Sequence, residues 1–338
     1  MKKLSALNKV VFFINNIFAL LLLLSYLASY TQPSTISIAP LLSLAAPVLL
    51  FINLIFVLYW IFQGFKKQFA VSLIVLFIGF VVSSSVYKFR SNIEQVTDEL
   101  NIMTYNVRKF NIFEWINDKN ITSKIDAFIQ KEEPDILALQ EYKEDENFSI
   151  NYPFSYNPSL KTKVKSGLAI FSKYPIINTG ILEQNRWVGK AIFIDVVKSQ
   201  DTIRVYNFHL QSLGVVPDEE FFGHSDSKKL IQRLKISFKV QQLQVDIIKE
   251  HVNSCNYNII IAGDMNNTAY SWAYKNLKND FKDSFLEAGS GFGKTYDFKG
   301  FPLRIDFIFT DKNINIINHK NYQDQYSDHY PVMSTVSF

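Results

Sequence analysis

Asp264 and Asn266 stand in Gly263-Asp264-Met265-Asn266, directly after the apolar run Ile259-Ile260-Ile261-Ala262. Side chains alternate along an extended backbone, so an acid and an amide two residues apart face the same side. Other polar residues occupy comparable places: Asn106, Glu141, Asn207 with His209, Asp306, and Asp328 with His329. Asp306 lies between Ile305 and Phe307, where an unpaired carboxylate is costly to bury, so it requires a cationic or hydrogen-bonding partner. Carboxylates and amides without thiolates suit a hard, oxygen-preferring cation such as Mg2+. Histidines among them can stabilise or protonate a phosphate oxygen. Phosphoryl transfer needs neutralised charge, a positioned water and a stabilised leaving group, and this inventory holds groups for all three.

The elements that must position these residues are mostly strands. Leu100 to Val107 and Ile203 to Leu210 alternate apolar and polar residues, the pattern of half-buried strands. Asp135 to Glu141, Gly167 to Ser172, Ala191 to Val197, Ile259 to Gly263, Ile305 to Phe309 and Pro331 to Phe338 read as further strands. Helical periodicity covers Thr122 to Lys131, stopped by Pro134, and Ser225 to His251. The long helix has an apolar stripe of Leu230, Leu234, Phe238, Leu243 and Ile247. Ala269 to Leu277 reads as a short helix. Many strands with few helices fit two packed sheets with helices outside better than a regular βαβ alternation.

The N-terminal third is of a different kind. Three stretches, about 10–30, 40–62 and 69–87, contain no Asp, Glu, Lys or Arg, and each approaches the ~20 residues that cross a hydrocarbon core. They predict three transmembrane helices in a membrane region of residues 1–90, a polar linker at 91–99 and a soluble domain at 100–338. Asn15, Asn16 and Asn53 are expected to hydrogen-bond between helices rather than to form a transport site. A cleaved signal peptide is the competing reading of the first stretch, but two more spans follow it. Lys2, Lys3 and Lys9 precede the first span and Lys66 and Lys67 follow the second, so the positive-inside rule puts the N-terminus in the cytoplasm. Three spans then deliver the soluble domain outside, with Lys88 and Arg90 opposing. The formal charge of +4 implies neither a nucleic-acid nor an anionic-membrane partner by itself, and Cys255, the single cysteine, excludes an intramolecular disulfide and a thiolate cluster.

Thr104-Tyr105-Asn106-Val107, Leu139-Gln140-Glu141, Gly167 to Pro175, Asn207-Phe208-His209-Leu210, Gly263 to Asn266, Arg304 to Ile308 and Ser327 to Val332 together resemble the endonuclease/exonuclease/phosphatase superfamily. The motifs occur in the family's order and cover Leu100 to Phe338. The resemblance implies a four-layer α/β sandwich, two packed sheets flanked by helices, with the active site at one end of the sheets. It implies that Glu141 ligates a divalent metal, Mg2+ with Mn2+ or Ca2+ as alternatives, with Asn106 beside it. Asp264 would orient or deprotonate the attacking water and Asn266 would fix it. His329 would bind the scissile phosphate, oriented by Asp306. Asp328 would sit near the metal or the water, and His209 would stabilise the phosphate or assist the leaving oxygen. The histidine of Asn207-Phe208-His209-Leu210 is more similar to the nuclease-I, sphingomyelinase and inositol-phosphatase branches than to abasic-site endonucleases.

The resulting expectation is a membrane-anchored phosphoesterase acting on nucleic acid or a phospholipid head group, attached to the bilayer by its N-terminal helices, with no protein partner. The rival is a catalytically silent member that uses its cleft as a binding module. Ala288 to Thr295 satisfies a relaxed phosphate-loop pattern, but lacks a preceding buried strand and a following helix, and reads as a glycine-rich surface loop. His224, His251 and His319 read as surface histidines. Lys161, Lys163 and Lys165 read as a solvated basic loop, and Arg186 with Trp187 as a pair that could touch substrate.

Overall fold

The computed structural model describes residues 4–64, 67–82, 87–88, 98–161, 166–182, 191–214, 227–298 and 301–338. Lys2, Lys3, Lys66, Arg90, residues 91–97 of the linker, Lys163, Lys165, Arg186, Trp187 and His224 lie outside the described residues, as does the side chain of Lys161. The chain forms two compact units. One comprises Met1–Ser85, Asp226–Gln242 and Asn267–Lys275; the other comprises Val86–Ser225, Leu243–Asn266 and Asn276–Phe338.

The first unit contains α1 (Ala6–Ala28), α2 (Ala39–Phe62) and α3 (Phe69–Val82). The side chain of Ser5 caps α1 by accepting the Asn8 N–H. Helices α1 and α2 have 23 and 24 residues and are long and apolar enough to cross a membrane. Helix α3 has 14 residues, a rise of about 21 Å against a hydrocarbon core of about 30 Å. Among the described residues, two helices of spanning length therefore form where three were expected. Apolar composition reports the preferred surroundings of a stretch, not how much of it is helix. All three helices share a buried polar network. Asn15 Nδ2 donates to Ser72 Oγ at 2.6 Å, Ser72 Oγ donates to Asn53 Oδ1 at 2.8 Å, and Trp60 Nε1 donates to Asn15 Oδ1 at 2.8 Å. Asn16 instead bonds the Phe12 carbonyl of its own helix. Tyr270, from the last segment of this unit, packs with Ala19, Leu22 and Tyr26.

All strands among the described residues belong to the second unit. In chain order the elements after α3 begin with β1 (Leu100–Asn106), α4 (Ile121–Glu132), β2 (Ile136–Tyr142), β3 (Phe154–Tyr156), β4 (Gly167–Ser172) and β5 (Ile176–Leu182). They continue with β6 (Ala191–Lys198), β7 (Asp201–His209), α5 (Ser227–Asn253), β8 (Asn258–Asp264), α6 (Trp272–Lys278), β9 (Phe281–Asp283) and α7 (Ser284–Ala288). The last are β10 (Tyr296–Phe298), β11 (Phe301–Leu303), β12 (Asp306–Asp311), β13 (Asn315–Asn321) and β14 (Val332–Ser337). They build two six-stranded sheets, ordered β13-β14-β1-β2-β4-β3 and β5-β6-β7-β8-β12-β9, and a hairpin of β10 with β11. Each large sheet has one parallel pair, β1 with β2 and β7 with β8; the other pairings are antiparallel.

The central core lies between the sheets. Ile102, Ile136, Ala138 and Ile170 of the first meet Ile194, Val205, Ile260 and Ile308 of the second. Helix α4 packs Ile125, Phe128 and Ile129 against Met103, Leu137 and Leu139 on the other face of the first sheet. On the second sheet, the His251 ring of α5 lies against Phe193 and Tyr206. Two mixed sheets flanked by helices are thus the observed architecture.

Two side-chain expectations need correction. The buried stripe of α5 runs through Leu234, Phe238, Gln241, Val245, Ile248 and Val252, while Leu243 is exposed. A 3.6-residue period admits neighbouring phases, and buried glutamines hid the true one. His319 is buried, with Nδ1 at 2.8 Å from Ser284 Oγ, and is not a surface histidine; His251 is half-buried, with Nδ1 2.8 Å from the Tyr206 hydroxyl.

Candidate active site

Strand pairing places the polar residues before any side chain is considered. Parallel pairing of β7 with β8 puts His209 opposite Asp264, and antiparallel pairing of β8 with β12 puts Asp306 opposite Asp264. In the first sheet Asn106 is paired with Gln140, so Glu141 follows at the strand end. Gly263 has φ +150°, and a Cβ there would overlap the Phe208 carbonyl oxygen, so only glycine allows this close approach one residue before Asp264. Glu141 and Asn266 adopt left-handed φ of 50° and 52°. For non-glycine residues that conformation costs on the order of 1 kcal/mol and clusters at functional positions. The β2–β4 register shifts between Leu139 and Tyr142, so Glu141 sits in an irregularity of the kind that re-aims a side chain.

The side chains converge on Asp264. Its Oδ2 accepts from Asn106 Nδ2 at 2.9 Å and Asn266 Nδ2 at 3.2 Å, and its Oδ1 accepts from the Asn266 N–H at 2.7 Å. Two imidazoles face the same oxygen, His209 Nε2 at 3.5 Å and His329 Nε2 at 3.7 Å. His329 Nδ1 lies 3.0 Å from Asp306 Oδ2, which supplies the partner required for that buried carboxylate. Thr295 Oγ1 accepts the N–H groups of Ile305 and Asp306, and the Tyr296 ring stands 4.9 Å from the His329 ring. Asp264, Asp306 and His329 offer one ligand atom each, all within 4.8 Å of one another.

Asp328 has a different setting. Its Oδ2 forms a 2.8 Å ion pair with Arg108 Nη1, and its Oδ1 accepts from Ser327 Oγ. Arg108 to Asn111 all have positive φ, a left-handed turn braced where Asn111 bonds the backbone of Ile116 in both directions. The Arg108 guanidinium lies 3.9 Å above the Trp115 ring. Asn207 is buried and binds the sheets together: its amide donates to the Leu139 and Ala169 carbonyls and accepts from Gln140 Nε2 at 2.7 Å.

Burial raises the Asp264 carboxyl above the usual carboxylate range and Asp306 adds to this, while His329, Asn106 and Asn266 oppose it. Burial alone would lower the His329 imidazole, but Asp306 and Asp264 outweigh it and hold the ring protonated above its ordinary value. The arrangement is therefore an imidazolium between two carboxylates, with a third nitrogen donor at Asn106.

The structure brings Asn106, His209, Asp264, Asn266, Asp306 and His329 into one network and places Glu141 beside Asn106 along the strand ends. Asp328 joins through the adjacent chain and is committed to Arg108. Arg108, Thr295 and Tyr296 were not anticipated. Arg108 follows Asn106-Val107 and could have been found as a charge beside a motif; Thr295 lay in the glycine-rich stretch, which here leads into β10 rather than a helix. A divalent cation fits this site: the donors are oxygen and nitrogen, and among the described residues the Glu141 carboxylate has neither hydrogen-bond nor ion-pair partner, although strain holds it at the strand end.

Comparison with known proteins agrees. A model of a domain of unknown function matches residues 8–86. The endonuclease/exonuclease/phosphatase family model matches residues 103–329, more than half of the chain. Among solved structures, a functionally unknown conserved protein from Enterococcus faecalis has 15% identity and a TM-score of 0.53, covering 70% of this chain and 99% of its own. A family protein from Bacteroides thetaiotaomicron has 16% identity and a TM-score of 0.52, covering 72% and 98%. One from Bacteroides vulgatus has 17% identity and a TM-score of 0.51, covering 71% and 99%. At such identities these likenesses concern the fold alone. No curated protein matches the sequence. With the family model spanning β1 to His329 and the strand ends gathered around Asp264, the chain belongs to the endonuclease/exonuclease/phosphatase family, whose members are metal-dependent phosphoesterases or nucleases.

Proposed function

We propose that this chain is a membrane-anchored, Mg2+-dependent phosphoesterase that hydrolyses a phosphate ester by attack of an activated water. The observation that carries the reading is the Asp264–His329–Asp306 row, with Asn106, Asn266 and His209 bonded or aimed at the same carboxylate.

Asp264 takes the proton of the attacking water; a carboxyl raised by burial is a stronger base than a solvated one. The Asn266 side chain, held by the Leu210 carbonyl and Asp264, fixes the water's approach. Asp306 holds His329 at Nδ1, leaving Nε2–H to donate to a non-bridging phosphate oxygen as negative charge grows there. His209 stands on the same edge of Asp264 and assists the leaving oxygen. Glu141 and Asn106 would hold the cation, with Asp328 nearby, and the cation would supply charge neutralisation at the phosphate.

Helices α1 and α2 anchor the chain, and α3 crosses as a third span shorter than the hydrocarbon core, matched by local thinning of the bilayer and tied to its neighbours where Ser72 bonds Asn15 and Asn53. The N-terminus is cytoplasmic and the catalytic domain outside. A nucleic acid or a phospholipid head group is the substrate class. The test is hydrolysis of bis-p-nitrophenyl phosphate and p-nitrophenyl phosphate by the detergent-purified full chain, with Mg2+ and with chelator. Chelator should abolish turnover and His329→Ala should lower it about a thousandfold. Equal background rates for wild type and His329→Ala would instead leave a binding module.

A further inference from the structure

The glycine-rich stretch Ala288 to Thr295 does not cradle a phosphate as a strand–loop–helix motif would, yet it walls a cavity of about 610 Å³. The lining includes Ser290, Lys294, His319, Lys320, Asn321 and Gln323, has no Asp or Glu, and shares no residue with the site around Asp264. Asn321 Nδ2 is buried without a hydrogen-bond partner. An orphaned donor of this kind costs about 1–3 kcal/mol, and a small turn of the Asn321 side chain towards an anionic oxygen in the cavity would satisfy it. Lys294 Nζ touches the Tyr330 hydroxyl at 3.2 Å and Asp297 at 3.4 Å, and Lys320 Nζ touches Glu132 at 2.9 Å. Both ammonium groups are tethered by these contacts, and both lysine side chains keep part of their surface open.

The rim is aromatic. Phe292 is 55% exposed and Tyr87 46% exposed, with their rings edge to face at 5.1 Å. Lys88 and Gly291 exchange both backbone hydrogen bonds, at 2.9 and 2.8 Å, which ties the rim to the chain emerging from the N-terminal region. Exposed Tyr and Phe beside lysines are what a membrane–water interface favours.

We propose that this cavity binds the phosphate-bearing head group of a membrane lipid, with Lys294 and Lys320 as countercharges, Asn321 as a donor, and Tyr87 and Phe292 in the interfacial layer. The site is distinct from the one around Asp264. It rests on the membrane attachment proposed above but not on hydrolysis, and its readout is binding.

The experiment titrates the full chain, in phospholipid-free dodecyl maltoside micelles, with dihexanoyl phosphatidic acid and separately with inorganic phosphate. The lipid should bind saturably, and phosphate at least about tenfold more weakly. Lys294→Gln with Lys320→Gln should weaken lipid binding at least about tenfold, while Lys294→Arg with Lys320→Arg keeps it. Phe292→Ser, at an exposed position, should weaken the lipid and leave phosphate unchanged, which holds the test open if the glutamine pair does not fold. Absence of saturable lipid binding, or binding indifferent to all these variants, overturns the proposal. Equal affinity for phosphate replaces the lipid by a free anion, and loss of lipid binding in His329→Ala moves the ligand to the active site; either result also overturns it.

Discussion

His329 matters because Asp306 holds one ring nitrogen at 3.0 Å, while the other, 3.7 Å from Asp264, stays open to a phosphate oxygen. Replacing Asp306 by Asn keeps the shape but removes the charge that fixes the protonated ring. The expected outcome is a fall in kcat of about a hundredfold or more with a small change in KM, read from steady-state kinetics. Glu141 makes the opposite kind of prediction. Its left-handed backbone costs the fold, so Glu141→Gly should leave the melting temperature unchanged or raised, while Mg2+ no longer supports turnover. A variant that melts lower and stays active would assign Glu141 to structure instead.

Among the elements, those with strong periodicity and a polar end were legible: β1, β2, β7, β8 and β12 fall within a residue or two of the sequence reading, because one face of each is apolar and its end is marked by an acid or amide. The short strands β3, β9, β10 and β11 have three residues each, too few for alternation to show. Strand β13 escaped because it is polar along most of its length, an edge strand paired on one side only. The network around Asp264 was legible as a set of residue types; the Arg108–Asp328 pair was not, since it depends on a left-handed turn that Arg108, Lys109, Phe110 and Asn111 do not advertise. His319 shows the same limit. Burial lowers its imidazole to about 4, so it is neutral in the fold. The unfolded chain then binds the extra proton between its ordinary value of 6.5 and about 4. Stability from this group is present above pH 6.5 and lost as pH falls towards 4, by up to about 3 kcal/mol. Urea unfolding at pH 7 and pH 5 should show this loss in wild type and a smaller one in His319→Asn.

For the whole molecule, the two units carry different duties. The first holds the apolar helices and a polar network without a charge; the second holds the acids and imidazoles. Reporter fusions after Glu99 should give a signal outside the cytoplasm, and a cytoplasmic signal would invert the proposed topology. One link within the second unit reaches further. Asn106 belongs to one sheet and Asp264 to the other, so the 2.9 Å bond between them works as a gauge of how closely the layers are pressed together. Any loosening between the layers would misalign base and phosphate clamp while each layer kept its own ladder. Turnover should therefore fade at lower urea than far-UV ellipticity.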